Sequence, residues 1–226
     1  MSGERADQLS PDARKALQTV LALLADERAS VSSIVDERAW SVHVLDSLTG
    51  LEIQQLREAM VIADIGSGAG FPGLPLAVAL PAARVDLIES VGRKCDFIRR
   101  AAQLAGIDNA NVLNARSEEI ATGAGREGYE AVTARAVGRL STLAELASPL
   151  LREDGVLVAW KGRRDEVEEA QLERAAESLA MRPEQILNVG DRAGSRHRHL
   201  HVIRKVAPTP ADLPRRPGIA KKRPRG

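Results

Sequence analysis

Asp64-Ile65-Gly66-Ser67-Gly68-Ala69-Gly70-Phe71-Pro72-Gly73 lies between two apolar runs, Ala59-Met60-Val61-Ile62-Ala63 and Leu74-Pro75-Leu76-Ala77-Val78-Ala79-Leu80. Apolar run, glycine turn, apolar run predicts strand, loop and helix, which brings a ligand against bare backbone at a helix N-terminus. Glycine at 66, 68 and 70 permits a sharp turn and a close approach. Asp64, where the strand ends, is placed to fix the turn or to hold a cationic ligand group. A second apolar run, Val85-Asp86-Leu87-Ile88, ends in Glu89, where a carboxylate can accept from both ribose hydroxyls. Loop and acid together imply a nucleoside-bearing cofactor. The spacing is G-x-G-x-G rather than the dinucleotide G-x-G-x-x-G, and no Walker lysine follows; both favour S-adenosylmethionine.

Working outward, strands are expected near 59–65, 84–89, 110–114, 129–134 and 154–160. Helices are expected near 73–80, 92–105, 117–121, 139–151 and 164–180. This alternation predicts an α/β fold, a Rossmann-like, doubly wound and mostly parallel sheet. Two further strands, near 184–189 and 199–206, read as an antiparallel hairpin closing the sheet. Helical spacing over 11–27 and 36–48 gives N-terminal helices. The expected organisation is an N-terminal helical extension over 1–50, a catalytic domain over 51–207 and a basic tail over 208–226.

The 226 residues suffice for one sizeable α/β domain with extensions. No apolar run reaches membrane-spanning length and the first residues are polar, so a soluble, cytoplasmic protein is expected. The single cysteine, Cys95, excludes an internal disulfide and reads as a buried small hydrophobe. The net charge of +1 hides an asymmetry: from Arg192 onward there are eleven Lys+Arg and one Asp+Glu. An acidic body with a basic end points to a polyanionic partner for that end. Six of the eleven lie beyond Pro208. Loss of that tail is expected to lower the salt dependence of binding to that polyanion and to leave cofactor binding untouched.

The stretch 64–77 resembles the cofactor loop of the bacterial small-subunit rRNA guanine-N7 methyltransferases, also called glucose-inhibited division protein B. Phe71-Pro72-Gly73-Leu74-Pro75 is its most particular part. Further matches keep the family's order: His43-x-Leu45-Asp46-Ser47, Glu89-Ser90-x-Gly92-Arg93-Lys94, Ala115-Arg116-Ser117-Glu118-Glu119, Ala134-Arg135-Ala136, Trp160-Lys161-Gly162, Arg198-His199-Leu200 and Pro214-Arg215-Arg216-Pro217-Gly218. The family's Asn-Leu-Thr segment is replaced by Ser30-Val31-Ser32-Ser33, and Val42 stands where an arginine is frequent.

The resemblance implies a class I S-adenosylmethionine-dependent methyltransferase acting on N7 of guanine 527, in the 530 loop of 16S rRNA. The substrate would be the rRNA, the small ribosomal subunit or its assembly intermediate, with no membrane and no protein partner implied. It implies cofactor contacts at Gly66, Gly68, Phe71, Glu89, Ser117, Glu118 and Arg135. The RNA-contact candidates are Lys161, Arg198, His199, Arg215, Arg216, Lys221 and Lys222. Trp160 reads as core. No catalytic residue and no metal site are named, since guanine N7 carries a lone pair and no proton to be removed. A small-molecule methyltransferase of the same fold and a non-catalytic RNA-binding module are the alternatives; the basic tail favours RNA, and the loop with Glu89 favours cofactor use.

Overall fold

The computed structural model describes residues 9–27, 38–190 and 197–226. Ser30–Ser33 and the start of the expected 36–48 helix lie outside them. Helix α1 is Pro11–Asp26, with the Ser10 side chain accepting from the Ala13 amide at its start. A π-helical turn, Trp40–Leu45, runs into the short α2, Asp46–Leu48, and α3 is Gln54–Glu58. Then come β1 Val61–Ile65, α4 Gly73–Ala79, β2 Arg84–Glu89, α5 Gly92–Ala105, β3 Ala110–Asn114 and α6 Ser117–Ile120. These are followed by β4 Tyr129–Arg135, α7 Leu140–Ala147, β5 Leu151–Lys161, α8 Glu166–Ala176, β6 Met181–Asn188, β7 His199–Lys205 and α9 Ile219–Lys222.

The strands form a seven-stranded sheet ordered β3-β2-β1-β4-β5-β7-β6. The first five pair in parallel, and β7 joins both β5 and β6 antiparallel, so the expected hairpin closes the edge. The inner stretches 61–63 of β1 and 156–160 of β5 read as continuous apolar runs because helices cover both faces. Alternate residues serve opposite cores. Ile62, Leu87, Ala131 and Val158 pack with Leu74 and Leu76 of α4 and Phe97 and Ile98 of α5. Their neighbours Ala63, Ile88, Val132 and Leu157 pack with Leu140 and Leu143 of α7 and Leu172 of α8. Cys95 is fully buried, its Sγ against the Glu89 carbonyl oxygen at 3.1 Å. Among the described residues no helix is long and apolar enough to cross a membrane.

Three expectations are corrected. The second N-terminal helix is a π-turn at Trp40–Leu45. Strand β5 begins at Leu151 rather than 154, because Tyr129 pairs with Leu151 before an irregularity restores the register at Ala131. The segment beyond Pro208 is not a detached tail. Leu213 and Ala220 are each 3% exposed, and Leu213 joins the α7/α8 core. The Arg215 guanidinium forms a two-pronged pair with the buried Glu145 carboxylate. Arg225 pairs with Asp212 and donates to the Ser178 carbonyl. Just upstream, the fully buried Lys205 ammonium donates to Ser148 O at 2.7 Å, Leu151 O at 3.2 Å and Thr209 Oγ1 at 2.8 Å. Proline and basic composition suggest a solvated tail only while the carboxylates and carbonyls that receive it are unknown.

Candidate active site

The sheet order reverses at β1, with β2 on one side and β4 on the other. At such a switch point the loops after neighbouring strands diverge and leave a crevice at the strands' C-terminal ends. The glycine loop leaves β1 there. Gly66 N and Ser67 N both donate to Ile88 O, at 2.8 and 3.3 Å, tying the loop to β2. Asp64 is fully buried; Oδ2 accepts from Gly73 N at 3.1 Å and Oδ1 from Thr133 Oγ1 at 2.9 Å. Of the two roles open to it, Asp64 takes the first and fixes the turn. Gly73 must be glycine, because a Cβ there would lie 2.7 Å from the Leu87 side chain and 2.9 Å from Asp64 Oδ2.

Burial raises the Asp64 carboxyl to about 6, against hydrogen bonds from Thr133, Ser67 and Gly73 that lower it. The folded chain therefore binds this proton more tightly than the unfolded chain does. The associated stability is fully present below the ordinary value of 3.8 and is lost as pH rises to about 6. Asp64→Asn can still accept from Gly73 N while its amide donates to Thr133 Oγ1. The stability of wild type relative to Asp64→Asn should fall by about 2 kcal/mol between pH 4 and 6.5 and then level off. Denaturant unfolding of both proteins across pH 4–8 reads this, and a difference constant with pH would refute it.

Glu89 ends β2 and is 6% exposed. Its Oε2 accepts from Gly68 N at 3.0 Å and its Oε1 from Val91 N at 2.9 Å. Two backbone amides fix the carboxylate, and each oxygen retains a lone pair for a ligand hydroxyl. Gly68 has φ +62°, and a Cβ placed on it would have Gly66 O at 3.9 Å as its nearest neighbour. It faces open space, whereas Gly66 packs on Val137 and Gly70 on Leu74. The crevice runs from Ile65 and Gly66 past Ile88 and Ser90 to Ala115, Arg116, Ser117 and Glu118. Ser117 Oγ donates to Glu118 Oε2 at 3.2 Å. These residues fit a nucleoside-bearing cofactor: a side-chain-free approach at Gly68, a preset acceptor at Glu89, and a slot along the ends of β1, β2 and β3.

Beside the loop lies a second group. The Phe71 ring stacks on His43, with centroids 4.6 Å apart and planes at 20°. The Arg135 guanidinium carbon lies 5.7 Å from the Phe71 centroid. Arg135 Nη1 donates to Val42 O at 2.9 Å and to Asp46 Oδ2 at 2.8 Å. Arg198 Nε stands 2.7 Å from Asp46 Oδ1, an ion pair without the alignment of a hydrogen bond. Burial pushes the Arg135 guanidinium below its ordinary value, with Asp46 acting in the opposite sense. The π-turn and the start of α2 thus deliver His43 and Asp46 to the end of β4. Trp160, 2% exposed, anchors that turn by donating to Asp46 O at 2.8 Å, which makes it core.

Phe71, Arg135 and, through Asp46, Arg198 are therefore brought together. Ser117 and Glu118 line the crevice, and Gly68 and Glu89 are bonded to each other beside Gly66, Ile88 and Ser90, which line it. His43 and Asp46 were visible only as a matched pattern; their spacing gave no hint of partners at the end of β4 and just before β7. Lys161 points elsewhere, donating to Gly138 O at 3.0 Å and Glu168 Oε1 at 2.6 Å, where Glu168 also accepts from the Leu140 amide of α7. His199 lies with Nδ1 2.9 Å from Gly162 O. Arg215 is committed to Glu145, and Arg216, Lys221 and Lys222 are exposed.

This sheet order, glycine loop and strand-end acid define the class I S-adenosylmethionine-dependent methyltransferase fold. A methyltransferase from Geobacter sulfurreducens aligns with a TM-score of 0.59 at 17% identity, covering 89% of this chain and 93% of its own. A SAM-dependent methyltransferase from Aquifex aeolicus aligns at 0.57 and 19%, covering 76% and 94%. The family model for GidB, rRNA small subunit methyltransferase G, matches residues 15–200. Ribosomal RNA small subunit methyltransferase G of Pelotomaculum thermopropionicum is 40% identical over 202 residues, 86% of this chain and 82% of the relative. That of Rubrobacter xylanophilus is 44% identical over 186 residues, 80% and 71%. The chain belongs to the GidB family of small-subunit rRNA methyltransferases.

Proposed function

We propose that this protein transfers a methyl group from S-adenosylmethionine to N7 of a guanine in the 530 loop of small-subunit rRNA, in the cytoplasm where that RNA resides. The observation that carries the cofactor half is the pairing of an open Gly68 with a Glu89 carboxylate held by the Gly68 and Val91 amides. Family membership carries the RNA half.

When bound, the cofactor supplies an electrophilic sulfonium methyl. Glu89 holds the ribose hydroxyls, and Gly68 leaves room for the cofactor against the loop backbone. Arg135, clamped by Asp46 and Val42 O, sets a fixed positive charge beside the Phe71 ring. Guanine N7 offers its lone pair in the ring plane and has no proton to lose, so no side chain is needed as a general base. The protein's contribution is to hold the two reactants in line and to exclude water. Arg198, His199, Arg216, Lys221 and Lys222 remain the RNA-contact candidates in this reading, whereas the Lys161 ammonium is held by Glu168. Arg215 contributes instead by holding the C-terminal segment. The division into a helical extension, a body over 51–207 and a C-terminal segment is kept as a functional division, since the cofactor crevice lies mainly in the body.

Purified protein with methyl-labelled cofactor should place label in small-subunit rRNA from cells lacking the gene, and the digested product should be N7-methylguanosine. Label on another base, or none in RNA, would overturn the reading.

A further inference from the structure

The crevice has two walls, and one of them comes from the C-terminal segment. Gly218, Ala220 and Lys221 line it opposite Ala115–Glu118, together with Val137, Thr142 and Leu146. The contact is built rather than incidental. Gly218 N donates to Glu118 Oε1 at 2.8 Å, and Thr142 Oγ1 donates to Ala220 O at 3.3 Å. The Glu145 carboxylate, 2% exposed, grips Arg215, whose Nη2 also donates to Arg223 O at 2.8 Å, just past the end of α9. The Gln171 amide nitrogen, on α8, lies 3.4 Å from Arg225 O. The segment is therefore fastened on both sides of the residues that line the crevice.

Sheet order says which part of a ligand this wall meets. In the sequence β1, β2, β3 the glycine loop follows β1, Glu89 ends β2, and the 115–118 loop follows β3. If Glu89 takes the ribose, the methionine end belongs at the β1 loop and the purine at the β3 loop, where Gly218 is bonded to Glu118.

The geometry points to residues 214–222 as part of the cofactor site: the C-terminal segment forms the outer wall of the purine subsite, and cofactor affinity depends on it. This rests on the reading of the crevice as the S-adenosylmethionine site. It reverses the expectation that the tail serves RNA alone and can be removed without effect on the cofactor.

The test uses S-adenosylhomocysteine, the product form of the cofactor, and no RNA. Titration calorimetry on the full chain and on a chain ending at Leu213 should show affinity at least tenfold weaker in the shortened protein. Gly218→Ala, whose Cβ would touch nothing within 4 Å but whose φ of +82° disfavours alanine, should weaken binding a few-fold by shifting the strap. Should the shortened chain fail to fold, wild-type protein decides by itself. Trypsin cleavage after Lys221 and Lys222 should slow when S-adenosylhomocysteine is saturating. Equal affinity in the folded variants, or cleavage unaffected by ligand in protein shown to bind it, would overturn the proposal. Wild-type protein that binds no S-adenosylhomocysteine would instead overturn the cofactor reading on which it rests.

Discussion

Gly68→Val should lose S-adenosylhomocysteine binding by more than about 100-fold, or ~2.7 kcal/mol, while the protein stays folded. Two observations set the size of the effect. The residue has φ +62°, a conformation costing a non-glycine residue about 1–2 kcal/mol and a β-branched one more. Its missing Cβ would project into open space, with Gly66 O 3.9 Å away as the nearest atom. Packing therefore tolerates a side chain, and it would stand on the loop backbone that holds the Glu89 carboxylate. Relief of the strain would also pull the Gly68 amide from Glu89 Oε2, freeing the carboxylate from one of its two anchors. Calorimetry paired with a thermal melt separates the outcomes. A modest loss of stability with no binding is expected; affinity within twofold of wild type would show that the loop is not the cofactor's seat.

Asp46→Asn should be the most destabilising single change near the site, by about 3–5 kcal/mol. Asp46 is 1% exposed and stands between Arg135 and Arg198, whose side chains are 12% and 22% exposed. Removing its charge leaves two partly buried guanidinium groups with no counter-charge on that side, and unpaired buried charge costs more than the pair returns. Arg198→Gln should cost much less, about 1 kcal/mol, because Asp46 keeps its hydrogen-bonded partner Arg135. Urea unfolding of the two variants reads the asymmetry. Equal effects would mean that Asp46 is not the shared counter-ion.

The sheet was legible because its information is local. Ile62, Val85, Val132 and Leu157 sit in short runs rich in apolar residues, and the glycine loop and Glu89 announce themselves within a few residues. The crevice followed from the same runs, since strand ends locate it. What could not be read depends on partners far along the chain. Asp46 gains its role from Arg135 at the end of β4 and Arg198 just before β7, and Trp160 fixes the turn that carries it. That turn is π-helical, and a π-turn shares the apolar spacing of an α-helix closely enough to pass for one. Arg215 looked like an RNA contact because eleven basic residues crowd the end of the chain; its partner Glu145 lies on α7, in a stretch that reads only as an apolar helix. Composition reports the charge of a segment, but not whether the body already holds the opposite charge for it.

The central claim is that a guanine N7 in small-subunit rRNA receives the methyl group, and strand scission tests it most directly. N7-methylguanosine loses its glycosidic bond after mild reduction, and aniline then cleaves the chain at that nucleotide. Small-subunit rRNA from cells carrying the gene should break at one guanine in the 530 loop. RNA from cells lacking it should remain intact there, and should become cleavable after incubation with purified protein and S-adenosylmethionine. Identical cleavage patterns from the two strains, with no new break after incubation, would contradict the account.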